Sequence, residues 1–151
     1  LLDSHDVSRF LSLCGGDTAG YRLAVLFMMC FVGMPTVFYG DELGVQGIRE
    51  EEYRAPMPWE TGNLSMLAFF RKAIAMRHAL APLREGDFRV LSAETGSRVF
   101  CFRRCIEKES VTVAINAGDA PAVLPFTREK IYWAEGFRDG TLFPGGFAVL
   151  P

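Results

Sequence analysis

Leu1-Leu2-Asp3-Ser4-His5-Asp6-Val7-Ser8-Arg9, taken with Thr36-Val37-Phe38-Tyr39-Gly40-Asp41-Glu42, decides how the chain reads. In each stretch an apolar run gives way to polar residues, the pattern of a buried strand that ends in a loop carrying side chains to a site. Between them, Gly15-Gly16-Asp17 forms a loop in which Asp17 or Thr18 can cap a helix from about residue 19 to 31. That helix is apolar on most sides, at Leu23, Val25, Leu26, Phe27 and Phe31, and must be heavily buried. Strand, helix and strand in this order predict βα units with parallel strands.

Downstream, residues 44–62 contain Glu50-Glu51-Glu52 and Pro56-Met57-Pro58 and show no periodicity. A segment this long between regular elements usually carries function or disorder. Asn63 can cap a second helix, residues 64–79, with an apolar stripe of Leu67, Phe70 and Ile74 beside Met66, Phe69 and Ala73; Pro82 should end it. Near residue 85 the chain changes character. Short alternating runs follow at 88–91, 99–103, 111–115, 123–126, 131–133 and 147–150, punctuated by Gly, Asp, Asn and Pro. They predict a small antiparallel sandwich or barrel, so two regions are expected, 1–84 and 85–151.

The composition removes several classes of function. Half of the 151 residues are hydrophobic, enough for a real core, and a net charge of −2 supplies no field for nucleic acid or an anionic membrane. The longest apolar run, residues 23–35, is too short to span a bilayer. Cys14, Cys30, Cys101 and Cys105 lack paired C-x-x-C spacing, which argues against a zinc site and for reduced thiols; a cytoplasmic location is the expectation.

Four segments together carry a resemblance: residues 1–9; Cys14-Gly15-Gly16-Asp17; Gly33-Met34-Pro35 through Glu42; and Arg54-Ala55-Pro56-Met57-Pro58-Trp59. In order and spacing they are similar to the C-terminal third of the α-amylase family of glycoside hydrolases, and within it to the neopullulanase, cyclomaltodextrinase and maltogenic-amylase group. The resemblance implies the last two βα units of a TIM (β/α)₈ barrel followed by an antiparallel β-sandwich domain, the active site lying at the C-terminal ends of the barrel strands. It also implies that residues 1–84 are the tail of a larger enzyme. Retaining glycosidases need a nucleophile and a general acid about 5 Å apart, and by resemblance both belong to earlier strands. The chain alone is therefore expected to be inactive.

By the same resemblance Asp6 matches the third acidic residue, which stabilises the oxocarbenium-like transition state, and His5 matches a histidine that binds the same sugar. Arg54 lies in the long loop over the expected cleft and can pair with a carboxylate or touch sugar hydroxyls, though a solvated Arg fits its position almost as well. Arg9 reads as a local ion-pair partner. Asp41 and Glu42, adjacent in sequence, read as structural because neighbouring strand residues point to opposite sides. Tyr53 and Trp59 could stack on a sugar or plug the loop. No cofactor or metal is implied; the expected partners are an α-glucan or maltooligosaccharide, the remainder of the barrel, and further copies of the chain meeting at open strand edges. The alternative is a non-enzymatic, β-rich structural or weak carbohydrate-binding module.

Overall fold

The computed structural model describes residues 1–125 and 130–151. The chain divides into two compact units, Leu1–Met29 with Met34–Met76, and Cys30–Gly33 with Arg77–Pro151.

The first unit is helical. A single turn, α1 (Phe10–Leu13), precedes α2 (Thr18–Cys30), whose first turn is held by Asp17: its Oδ1 accepts from the Ala19 amide at 2.9 Å. A 3₁₀ turn, Asp41–Leu43, and a four-residue helix, α3 (Glu50–Tyr53), punctuate the long connection read above as aperiodic. Then α4 (Leu64–Ala79) begins where Asn63 Oδ1 accepts from the Ser65 and Met66 amides, each at 3.1 Å. Its buried face is Met66, Phe69, Phe70, Ala73 and Met76, a 3–4 spacing, while Ile74 is exposed. The predicted stripe is thus rotated by about one position. Tyr21 sits at the centre of this unit, its ring 6.2 Å from both Phe10 and Phe70.

Neither Leu1-Leu2 nor Thr36–Tyr39 lies in a ladder. The local propensity for extended backbone is there, but a parallel strand exists only through a neighbour that shares its hydrogen bonds, and no described strand runs beside it. Val37 and Tyr39, expected to be buried, are exposed.

The second unit is built on one antiparallel sheet. α4 ends at Ala79, before Pro82 as expected, and Pro82 stands in the first turn of a further short helix, α5 (Ala81–Glu85); after it come β1 (Asp87–Ser92), β2 (Val99–Ile106), β3 (Glu109–Asn116), β4 (Ala122–Val123), β5 (Trp133–Arg138) and β6 (Thr141–Leu150). The order is β1-β2-β3-β6-β4, with β5 on the other side of β6. All six predicted runs fall on or overlap these strands, although 131–132 precede β5, 124–125 follow β4, and Phe126 lies outside the described residues. All described strands belong to this single sheet.

Both faces of the sheet are covered. On one, Phe31, Phe88 and Phe102 pack with ring centroids 4.9–6.4 Å apart. On the other, Cys101, Ala114, Leu124 and Leu142 form a dry cluster flanked by Val99 and Phe137. β3 is consequently buried at six consecutive positions, Val111 to Asn116, where an open sheet would alternate. The β5–β6 register shifts at a bulge between Glu135 and Phe137, where Gly136 has a φ of 61° and a Cβ added at Gly146 would stand 2.7 Å from the Gly136 carbonyl.

Candidate active site

Residues 3–10 form a loop closed on itself: the Phe10 amide donates to Asp3 Oδ1 at 2.6 Å, and the Asp6 amide donates to Ser4 Oγ. The loop is stitched to residues 47–54. Ser8 Oγ donates to the Ile48 carbonyl, the Arg9 amide to the Gly47 carbonyl at 2.8 Å, and the Gly47 amide to Ser12 Oγ. Glycine is required at 47 by this approach, since a Cβ there would lie 2.4 Å from the Tyr53 nitrogen.

The loop presents His5 and Asp6 to solvent, their side chains 69% and 68% exposed and His5 Nε2 3.2 Å from Asp6 Oδ1. Arg54, 49 residues away in sequence, is brought to the same place. Its Nε donates to the His5 carbonyl at 2.8 Å, its Nη2 stands 3.8 Å from Asp6 Oδ1, and its Nη1 pairs with Glu50 at 2.7 Å. The three residues singled out from the sequence therefore converge on one exposed rim. A carboxylate, an imidazole and a guanidinium together offer both acceptors and donors to a polyhydroxylated ligand. Among the described residues no three His, Cys, Asp or Glu side chains cluster as a metal site.

Arg54 owes its place to α3, whose start is held by Glu52: its Oε2 accepts from the Ile48 and Arg49 amides and its Oε1 pairs with Arg49. These backbone donors pull the Glu52 carboxyl down to about 2.

Residues 1–73 match the family model described as "Alpha amylase, catalytic domain". The chain is 41% identical over 127 residues to Neopullulanase 2 of Thermoactinomyces vulgaris, covering 82% of this chain and 22% of that protein. It is 37% identical over 118 residues to a Cyclomaltodextrinase of Bacillus sp, covering 77% and 21%. Over residues 1–73, just under half of the chain, the sequence matches the α-amylase family. Among solved structures, the debranching enzyme of Nostoc punctiforme superposes with a TM-score of 0.85 at 30% identity, covering 99% of this chain and 34% of that one. The chain spans about a fifth of the length of the curated relatives it matches.

Behind the rim residues lies a buried group that the sequence did not bring out. Arg9 and Asp41 are fully buried, with Arg9 Nη1 2.9 Å from Asp41 Oδ1; Arg9 Nε donates to the Tyr53 carbonyl, and the guanidinium lies 4.2 Å from the Phe38 ring. Asp41 Oδ2 accepts from the Phe38 amide, so the reading of Asp41 as structural agrees with its contacts. Asp3, passed over in the sequence, is 2% exposed and its carboxyl meets that of Asp41. Burial first, and then Asp3, push the Asp41 carboxyl up to about 8 against the opposing pull of the Phe38 amide and Arg9. An acid between Leu2 and Ser4 gives no sequence signal of burial. Tyr53 stands beside Arg54 at 5.9 Å, and Trp59 is exposed. No described helix is long and apolar enough to cross a membrane.

Proposed function

We propose that this chain is the C-terminal part of a retaining α-glucan hydrolase of the neopullulanase and cyclomaltodextrinase type, cleaving α-glucosidic bonds. Residues 1–84 complete the (β/α)₈ barrel, and 85–151 form its β-sandwich domain. Asp6 is the carboxylate that stabilises the cationic transition state, with His5 and Arg54 binding the sugar. The observation that carries this reading is the meeting of Arg54 with both His5 and Asp6 on an exposed rim. Nucleophile and general acid are supplied from outside these residues, so the isolated chain is inactive. The substrate class is an α-glucan or maltooligosaccharide, and four free thiols support a cytoplasmic setting.

A chimera tests it: this chain replaces the matching segment of Neopullulanase 2, and hydrolysis of pullulan and cyclodextrin is measured. The chimera should be active. Asp6→Asn keeps volume but removes the charge opposing the developing cation, and should lower kcat by about 100-fold or more with little change in KM. A folded chimera with unchanged kcat after Asp6→Asn would overturn the role of Asp6.

Self-association of the isolated chain belongs to the same proposal. Met34, Val37, Tyr39 and Trp59 are exposed apolar side chains in the first unit, and such surface recruits other chains. Light scattering should give a dimer or larger species; a monodisperse monomer would remove this part.

A further inference from the structure

The loop that carries His5 and Asp6 has its two ends on one buried post. Asp3 at its start meets the Asp41 carboxyl, and Arg9 at its end forms the 2.9 Å ion pair with the same group. One guanidinium and two carboxyls are buried, with both Arg9 and Asp3 set against Asp41, which leaves one negative charge too many unless a proton is held there. The hydrogen bonds point the same way. Asp41 already accepts from Arg9 and Phe38, Asp3 Oδ1 accepts from Phe10, and Asp3 Oδ2 is buried with no donor among the described residues. A proton between the two carboxyls satisfies that oxygen and makes the group neutral.

We propose that Asp3, Arg9 and Asp41 form a neutral, single-proton latch that closes the loop bearing His5 and Asp6, with Asp3 and Asp41 as positioning residues for the site. The latch also reaches the third member of the rim, because Arg9 Nε holds the Tyr53 carbonyl next to Arg54. The groups facing Asp41 are Arg9 and Asp3 from the loop, Tyr21 from α2, whose hydroxyl donates to the Asp41 carbonyl oxygen, and Glu42 beside it. Burial pushes the Tyr21 phenol far up, so it stays protonated throughout. Burial first, and then the neighbouring Asp3, raise the Asp41 carboxyl, in keeping with a proton held there.

The consequence for catalysis rests on the proposed role of Asp6, but the latch is measured without any glucan, so either can fail alone. The experiment is amide hydrogen exchange on the 151-residue chain, corrected for intrinsic rates, read at Phe10 and Arg9 with Val113 in β3 as control. Protection at both loop amides should fall by about tenfold between about pH 6 and pH 9, as the lost proton sets two carboxylates against one guanidinium. Asp3→Asn replaces the shared proton with an amide donor to Asp41 and keeps the acceptor for Phe10, so protection should persist and become flat with pH. Asp41→Ala removes the post and should lower protection by about tenfold at all pH values, with Val113 unchanged. The pH dependence surviving in Asp3→Asn, or its absence in the native chain, would overturn the latch; these two arms decide the matter even if Asp41→Ala does not fold.

Discussion

Two buried arginines, one in each unit, are neutralised in opposite ways. Arg9 faces carboxyls, Asp41 and beyond it Asp3. Arg104, on β2 and 2% exposed, faces main-chain carbonyls: Cys30 and Phe31 at the end of α2, Leu83 and Gly86 around the end of α5, and Asp87, at 2.7–3.3 Å. Helix C-termini leave carbonyls unpaired and carry partial negative charge, so a planar five-donor fork placed among them is satisfied without a carboxylate. Arg77 does the same on a smaller scale with the Phe31 and Gly33 carbonyls, and Arg84 with those of Arg77 and His78. Carbonyls do not titrate and carboxyls do. The sheet unit is thereby fixed by a pH-independent hub and the site unit by a pH-dependent one.

The largest expected effect tests the carbonyl hub. Arg104→Met leaves that set of buried carbonyls without donors, and should cost the second unit about 3 kcal/mol or more, read as a lower urea midpoint. Arg104→Lys should recover little, because one ammonium cannot reach the same spread of acceptors. Neither loss should vary between about pH 5 and pH 9, because main-chain carbonyls do not titrate. A loss in Arg104→Met that shrinks in acid would mean that a carboxylate, not the carbonyls, holds this guanidinium.

Arg9→Met should cost less and behave differently. It strands Asp41 and Asp3 with no cation, a penalty of about 2 kcal/mol at neutral pH that the pair can relieve by taking up a second proton. In the native chain the Asp41 carboxyl is raised from 3.8 to about 8, so its contribution is full below the unfolded value and is lost as pH rises through about 8. Removing Arg9 deletes one opposing pull, so the Asp41 carboxyl rises further and the loss extends to higher pH. Thermal unfolding from acid to alkaline pH should show Arg9→Met approaching the native chain only in acid. A constant difference across the range would make Arg9 equivalent to Arg104 and dissolve the contrast.

The contrast explains what the sequence disclosed. α4 was legible to its last residue because Asn63 and a 3–4 apolar spacing are local signals, and the strands after residue 85 were legible because alternation and turn residues are local too. Thr36–Tyr39 was misread because its extended propensity is local while its ladder is not. Arg104 was invisible: a charged residue in an alternating strand reads as surface, and its acceptor at Cys30 lies 74 positions away. In the site, His5, Asp6 and Arg54 were found through a family pattern and then met in space, whereas Asp3 was missed because nothing beside it in sequence reveals that Asp41 will face it.

The smallest effect runs in the other direction along the pH axis and separates the rim from the latch beneath it. Glu52 holds the start of α3 by accepting from the Ile48 and Arg49 amides, and its carboxyl is lowered from 4.5 to about 2. A depressed carboxyl stabilises its turn above the unfolded value, and that hold is lost as pH falls through about 2, the reverse of Asp41. Because the Glu52 side chain reaches solvent, 38% exposed, the effect should stay local: Glu52→Gln keeps an acceptor oxygen but not the charge, and should reduce exchange protection at Ile48 and Arg49 by a factor of about 2 to 5 at neutral pH. Phe10 and Arg9 should not respond, since their acceptors are Asp3 and the Gly47 carbonyl. If Glu52→Gln loosened Phe10 as much as Ile48, α3 and the loop of His5 and Asp6 would open as one cooperative piece. Arg54 would then be placed by the whole segment rather than by two separable devices, one titrating in acid and one in alkali.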